Sequence, residues 1–458
     1  MQKNFDAIVI GAGQSGPSLA ARFATSGMNV ALIEREHLGG TCVNDGCIPT
    51  KTLVASARVA HVARKAGQFG VRVGEVSVDM RAVKARKDAV VAQSVAGLTE
   101  WLGGMKALTS IRGEARFAGP HTVRVGDDEL SAPKIFINVG GRPSVPDWPG
   151  IHEVPYLTNT SMMAVDFLPE HLVIVGGSYI GLEFAQMYRR FGSRVTVIEA
   201  GPRLIAREDH EVSDAIRAML EGEGIAVHVD ARNLAMVRDG DQVRVAFEAD
   251  GVAQSVTGSH LLLAVGRRPN TDGLGLEVAG IATDARGFIV VDDELRTSVP
   301  GVWALGDVNG KGAFTHTSYN DFEIVAANLL DGGARRVSDR IAAYALYTDP
   351  PLGRIGMSEA EVRASGRAAR VASFPMARVG RARERGETTG FMKVLVDAHT
   401  ERILGAALFG IEADEVVQLL LLAMAADLPC TRITHTMFIH PTVTELLPSL
   451  FAALKPLA

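Results

Sequence analysis

Cysteine is scarce in this chain, with 3 residues among 458. That scarcity excludes a small secreted scaffold stapled by disulfides. Long apolar runs are missing as well. The most apolar helical stretch, "VVQLLLLAMAADL" from Val416, is interrupted by Gln418 and ends at Asp427, too short and too mixed to cross a bilayer. Neither sign of charge dominates: 47 basic and 52 acidic residues leave a formal net charge of −5. Such a balance gives no general pull toward nucleic acid or an anionic membrane. The opening "MQKNFDAIVIGAG" runs straight into a strand and leaves no room for a signal peptide. These absences point to the cytoplasm, with no nucleic-acid or membrane partner. What is present, 47% hydrophobic and 22% charged residues, is the composition of a globular chain of about three domains.

Two of the three cysteines nevertheless stand close together, Cys42 and Cys47 in "GGTCVNDGCIPTK". A loop that short removes little entropy from the unfolded chain, so a structural cross-link is a poor explanation. Zinc is no better, because Cys430 is remote and no close histidine or cysteine completes a ligand set; no metal site is expected. What remains is a dithiol that opens and closes during a reaction. Cys430, in "DLPCTRI", reads as an inert interior thiol.

An internal repeat supplies the context. "DAIVIGAGQSGPSLAARFATSGMNVALIERE" places Gly11-x-Gly13-x-x-Gly16 between a strand and a helix, with a second strand ending at Glu34. "HLVIVGGSYIGLEFAQMYRRFGSRVTVIEA" does the same with Gly176, Gly177, Gly181 and Glu199. Gly11 and Gly176, Gly16 and Gly181, Glu34 and Glu199 share one offset of 165 residues. The glycines allow a tight turn and close approach to a pyrophosphate at the helix N-terminus, and the acid accepts from an adenosine ribose. Two Rossmann-like units imply two dinucleotides. Ser178 at the second copy's middle glycine position implies a slightly altered approach. Glu199 favours NADH over the extra phosphate of NADPH, although Arg203 and Arg207 leave NADPH open. A nicotinamide delivers electrons, a flavin accepts and relays them, and the dithiol receives them.

"GGTCVNDGCIPTK" resembles the redox-active segment of the class I pyridine nucleotide–disulfide oxidoreductases, which include dihydrolipoamide dehydrogenase, glutathione reductase and mercuric reductase. The resemblance extends through "IFINVGGRP", "LLLAVGRRPN", "TSVPGVWALGDVNG", "FMKVLVDAHTERILGAALFG" and "HPTVTELLP". It implies an α/β protein in four segments. Residues 1–150 and a return segment, 273–344, bind FAD; 151–272 bind NAD(P)H; 345–458 form an α+β interface domain that makes a homodimer.

The resemblance also implies roles. Cys47 faces the flavin as the charge-transfer thiolate, and Cys42 exchanges with substrate. Five helical positions turn a side chain by about 500°, so joining the sulfurs requires a distorted first turn, for which Gly46 and Pro49 are suited. The helix that follows favours a thiolate at its N-terminus. Lys51 pairs with Glu183 beside the ring, Tyr179 is an aromatic lid, and Asp307 holds the ribityl chain. Further cofactor contacts fall on Thr41, Gly140, Thr315, Ile180, Gly266 and Arg267. His440, oriented by Glu445, acts on the partner subunit's Cys42. His316 is expected to cap or pack.

Mercuric reductase proper carries a further C-terminal cysteine pair, whereas this sequence ends "SLFAALKPLA"; "HTMFIHPT" departs from dihydrolipoamide dehydrogenase; Glu199 departs from glutathione reductase. "CIPTKTL", "FTHTSYND" and "PLGRIGMSEAEVRASG" look most like mercuric-reductase-like flavoproteins of metal or oxidant defence. The alternatives are a dihydrolipoamide dehydrogenase serving a 2-oxo acid complex and a flavin-bound redox sensor.

Overall fold

The computed structural model describes residues 1–457. Near-continuous apolar runs with β-branched residues, such as "AIVI" and "HLVIV", form strands buried on both faces, which is the pattern of a parallel sheet covered by helices. The first sheet has five parallel strands in the order Val302–Ala304, Ile135–Ile137, Ala7–Ile10, Val30–Glu34, Leu108–Arg112. Its edge strand arrives from the distant segment around residue 303, so the chain leaves this unit and returns to it. A second parallel sheet runs Ala226–His228, Arg194–Ile198, His171–Val175, His260–Leu263. In each, the first glycine follows a central strand where the order reverses, the place where open α/β sheets bind ligands.

Gly141–Pro143 pairs antiparallel with Arg267–Pro269, tying the two connections between these units together. The third unit is a six-stranded antiparallel sheet that starts with Ala343–Leu346 and is backed by helix Ala413–Ala425. The division expected before Ala345 therefore falls inside a strand. No helix among the described residues is long and apolar enough to cross a membrane.

One apolar core joins all three units. It contains Leu53 and Ala57 of helix Cys47–Lys65, Phe184 and Tyr188 of helix Tyr179–Phe191, and Leu346, Leu352 and Phe409 of the antiparallel sheet. Burial on this scale stabilises by roughly 1.5–3 kcal/mol per large side chain, so the cleft between the units has rigid walls.

Candidate active site

The two glycine turns are built alike, atom for atom. Gly11 and Gly176 have φ of 97° and 115°, and a Cβ on either would lie 2.3 Å from the carbonyl oxygen of Asn138 or Ala264. A Cβ on Gly16 or Gly181 would lie 2.1 or 2.0 Å from the oxygen of the first glycine. Only glycine fits, because those neighbours are backbone. The middle position is different: at Gly13 the nearest atom would be 3.3 Å away, and Ser178 is exposed to the cleft, so serine is tolerated there. Glu34 accepts from the N–H groups of Ala12 and Glu36, both at 2.7 Å, and Glu199 accepts from Gly177 at 2.5 Å and Gly201 at 2.7 Å. Each acid thus braces its own turn.

The first turn, through Gly11 and Gly13, and the second, through Ser178, open into one cleft of about 1470 Å³, larger than the 300–1,000 Å³ of a typical ligand site and roomy enough for more than one ligand, while Gly16, Gly176, Gly177, Gly181 and Glu199 do not line it. Gly11, Gly13, Glu34, Thr41, Cys42, Cys47, Lys51, Gly140, Asp307 and Thr315 line it, as do Tyr179, Ile180, Glu183, Gly266, Arg267 and Arg207. At Gly140 and Gly266, with φ of 64° and 111°, a Cβ would meet no protein atom within 4 Å. The backbone there borders space left open for a ligand. These features fit a flavin dinucleotide on the first turn and a nicotinamide dinucleotide on the second.

The dithiol lies on a broken helix. Gly40–Asn44 carries Cys42, Asp45 and Gly46 interrupt the chain, and Cys47 opens the helix to Lys65. Gly46 is required at the break, since a Cβ would come within 2.7 Å of the Thr41 carbonyl. The expected distortion is therefore a complete interruption, which removes the helical rotation that would separate the sulfurs. The hydroxyl of Thr315, first residue of helix Thr315–Leu330, lies 3.0 Å from Cys42 Sγ and 3.2 Å from Cys47 Sγ. The Cys47 thiol is lowered to about 6, chiefly by the hydrogen bond from Cys42, with help from Thr315 and Lys51 and against the effect of burial. Cys42 is pushed up by the bond it gives Cys47 and by burial. The pair is thus polarised into one thiolate and one thiol.

Lys51 Nζ sits 2.9 and 2.8 Å from the two oxygens of Glu183, whose side chain is 6% exposed. Tyr347 closes this pair: its N–H donates to Glu183 at 3.0 Å and its ring lies 4.7 Å from the Lys51 ammonium. The Tyr179 hydroxyl donates to Glu208 at 2.8 Å. Burial raises the Asp307 carboxyl above its usual range, against the opposing effect of Arg267 at 3.8 Å. Arg203 turns toward His210, Ala206 and Glu208, which leaves Arg207 as the one of the two that lines the cleft.

His440 Nδ1 lies 3.0 Å from Glu445, but the imidazole is 80% exposed on the third unit and does not line the cleft. The structure thus pairs His440 with Glu445 without bringing either to the dithiol of the same chain. His316 packs flat on Phe314 and bonds the Ala343 carbonyl at 2.6 Å. Cys430 is buried, and burial raises its thiol. Thr315 as a sulfur bridge, Tyr347 and Glu208 were not legible beforehand: each reaches its partner from a distant part of the chain, and no spacing marks them.

Two family models cover most of the sequence: pyridine nucleotide-disulphide oxidoreductase over residues 5–321 and its dimerisation domain over 342–450. The chain is 38% identical to the probable pyridine nucleotide-disulfide oxidoreductase RclA of Escherichia coli, over 98% of this chain and 99% of that one. A solved structure of the latter, described as a Cu(II) complex of an HOCl-induced flavoprotein disulfide reductase, superposes with a TM-score of 0.89 over 97% and 99% of the two chains at 37% identity. A mercuric reductase of Streptomyces lividans is 34% identical over 97% of this chain and 94% of its own. A dihydrolipoyl dehydrogenase of Thermus scotoductus is also 34% identical, over 97% and 96%. With both dinucleotide turns and the dithiol facing one cleft, the chain belongs to the pyridine nucleotide-disulphide oxidoreductases, homodimeric FAD-containing disulfide reductases that use NAD(P)H.

Proposed function

We propose that the enzyme passes electrons from NADH to the Cys42–Cys47 pair and on to a disulfide, a soft metal ion such as copper or mercury, or an oxidant-derived acceptor, in defence against metal or oxidant stress. The observation that carries this reading is the polarised dithiol in the same cleft as both dinucleotide turns. The names of its relatives, an HOCl-induced disulfide reductase and a mercuric reductase, support the direction. FAD bound on the first turn supplies the two-electron relay between nicotinamide and sulfur. Within this reading the FAD unit takes residues 1–150 and 273–342, the NAD(P) unit 151–272 and the interface unit 343–458, which keeps strand Ala343–Leu346 whole. Glu199 gives the lean toward NADH.

The chain's own residues divide the sulfur chemistry. Cys42, a thiol, needs a base before it can attack, and its side-chain hydrogen bonds are with Thr315 and Cys47. His440, exposed and oriented by Glu445, is suited to remove that proton across the homodimer. With a disulfide acceptor, the Cys42 sulfur displaces one thiolate, which takes the proton from His440, and forms a mixed disulfide. Cys47 then attacks Cys42 Sγ, closes the intramolecular disulfide and expels the second half as a thiolate, which takes its proton from solvent. The hydrogen bond from Cys42 keeps Cys47 ionised, and Lys51 adds its positive charge.

The test is steady-state NADH oxidation with lipoamide, oxidised glutathione, copper(II) and mercury(II), in the wild type and in Cys42→Ser. Turnover with a disulfide or soft metal, lost in Cys42→Ser, is the expected result. The dihydrolipoyl dehydrogenase relative keeps a second reading in view, and fast lipoamide turnover would establish it in place of the first. Full turnover in Cys42→Ser would remove the exchange role, and no turnover with any acceptor would favour a sensor.

A further inference from the structure

We propose that Glu208 is a latch for Tyr179, a positioning residue that sets how often the nicotinamide side of the cleft stands open. The inference rests on the flavin and nicotinamide reading above, which is what requires a passage there.

Tyr179 opens helix Tyr179–Phe191, just after the Gly176–Gly177 turn, and lines the cleft together with Ser178 and Glu183. Its ring meets Tyr344 and Phe314 edge-on, with centroids 5.8 and 6.3 Å away. Such edge contacts are modest in energy, a small barrier to a swing. The directional hold is the hydroxyl, which donates to Glu208 Oε1 at 2.8 Å. The same oxygen accepts from the Tyr344 hydroxyl, also at 2.8 Å. Burial and the adjoining carboxylate push the Tyr179 phenol up, so it remains a donor.

Glu208 is an unusual acceptor. It is 2% exposed, and its second oxygen has no hydrogen-bond partner; the nearest cation is Arg354, with Nε 3.5 Å away. Arg354 already donates from another nitrogen to the Ala406 carbonyl at 3.0 Å. A buried carboxylate is costly, and the Arg354 ion pair on one oxygen together with the two tyrosine hydroxyls on the other offsets that cost. The acceptor is also fixed in place. Next to it, Asp209 accepts from buried Lys393 at 3.2 Å and from the Glu359 N–H at 3.1 Å, both on the antiparallel unit. Glu208 therefore stays still while the ring moves. When Tyr179 leaves, Tyr344 and Arg354 still face the carboxylate, so the open state is reachable.

A closed lid lowers apparent nicotinamide affinity by the fraction of molecules that are open. The experiment uses the oxidised holoenzyme and measures NAD⁺ binding by titration, together with iodide quenching of the bound FAD fluorescence. Tyr179→Phe keeps the ring, removes the hydroxyl, and should tighten NAD⁺ about tenfold while raising iodide quenching. Glu208→Gln should move both readouts the same way, and the double variant should match Tyr179→Phe alone. Tyr344→Phe, which leaves Tyr179 as the only phenol on that oxygen, should instead weaken NAD⁺ binding, a reversal that loss of packing would not produce. Unchanged binding and quenching in both Tyr179→Phe and Tyr344→Phe would overturn the latch even if Glu208→Gln failed to fold, and so would effects that multiply in the double variant. A wild-type holoenzyme that binds no NAD⁺ would overturn the underlying nicotinamide reading and the latch with it.

Discussion

Removing one hydroxyl should change the acidity of the dithiol in a calculable way. Cys47 is lowered to about 6 because donors converge on its sulfur, Cys42 first, then Thr315, with Lys51 adding its charge. The Thr315 hydroxyl has one proton, placed to donate to Cys42 at 3.0 Å and also within reach of Cys47 at 3.2 Å, and the sulfur that profits most from it is the anionic one. Thr315→Val keeps the shape and deletes that proton. A hydrogen bond to a charged group is worth about 1.5–3 kcal/mol, and a sulfur acceptor at 3.2 Å belongs at the lower end. Since 1.36 kcal/mol corresponds to one pH unit, the thiolate midpoint should rise by about one unit. The sign follows from the depressed acidity constant: the thiolate persists as pH falls until about 6, and the variant should lose it sooner. The assay is the pH dependence of alkylation in a Cys42→Ser background, where a serine hydroxyl still donates, Cys47 is the sole thiol of the pair, and Cys430 is buried. A midpoint within about two-tenths of a unit of the parent would refute the assignment of Thr315 as a donor to the thiolate.

Lys51→Met should cost about 2–3 kcal/mol in urea unfolding, because Glu183 is left buried with only the Tyr347 N–H, while the one-third exposure of Lys51 limits the loss. Lys51→Met/Glu183→Gln should recover most of it, and a double variant no more stable than the single would show that the charge pairing is not what the site depends on. Mixing inactive His440→Ala and Cys42→Ser dimers under subunit exchange should restore activity, since each mixed dimer holds one site with both residues intact; a mixture as inactive as its parents would remove the intersubunit role of His440.

The glycine turns were legible because glycines and acid recur at one spacing within each unit, even where the atom that excludes a side chain is distant. Gly11 is required by Asn138 and Gly16 by Gly11 itself, and each acid lies at a fixed distance along its own unit. The dithiol was legible because its cysteines, Gly46 and the following helix are contiguous. Lys51 and Glu183 were reached only through resemblance, since 132 positions separate them. Thr315 stood among the expected cofactor contacts, yet its reach to both sulfurs is tertiary, 273 positions from Cys42 and 268 from Cys47. Glu208 gave no signal at all: in sequence it is one acid in "AREDHE", and only the fold buries it.

Helix Tyr179–Phe191 explains how these scattered groups keep register. Tyr179, Glu183, Gln186 and Arg190 follow one another at spacings of four, three and four and so share a face. Glu183, Gln186 and Arg190 are buried at 5%, 3% and 5% exposure, an arrangement that is stable only if every polar group finds a partner. Each does, and each partner lies in a different part of the chain. Glu183 takes Lys51 from the dithiol helix, Gln186 exchanges hydrogen bonds with the backbone of Asp349 at 2.9 and 2.7 Å, and Arg190 reaches Glu223 at 2.8 Å. Asp349, at the start of the antiparallel unit, binds both Arg190 and Arg58 of the dithiol helix. One carboxylate of the dimerisation unit thereby clamps the helix behind the nicotinamide turn to the helix that carries Cys47. The spacing between the two halves of the cleft is set by that clamp and the shared apolar core, so the dimerisation unit fixes the relay's internal geometry as well as pairing the subunits.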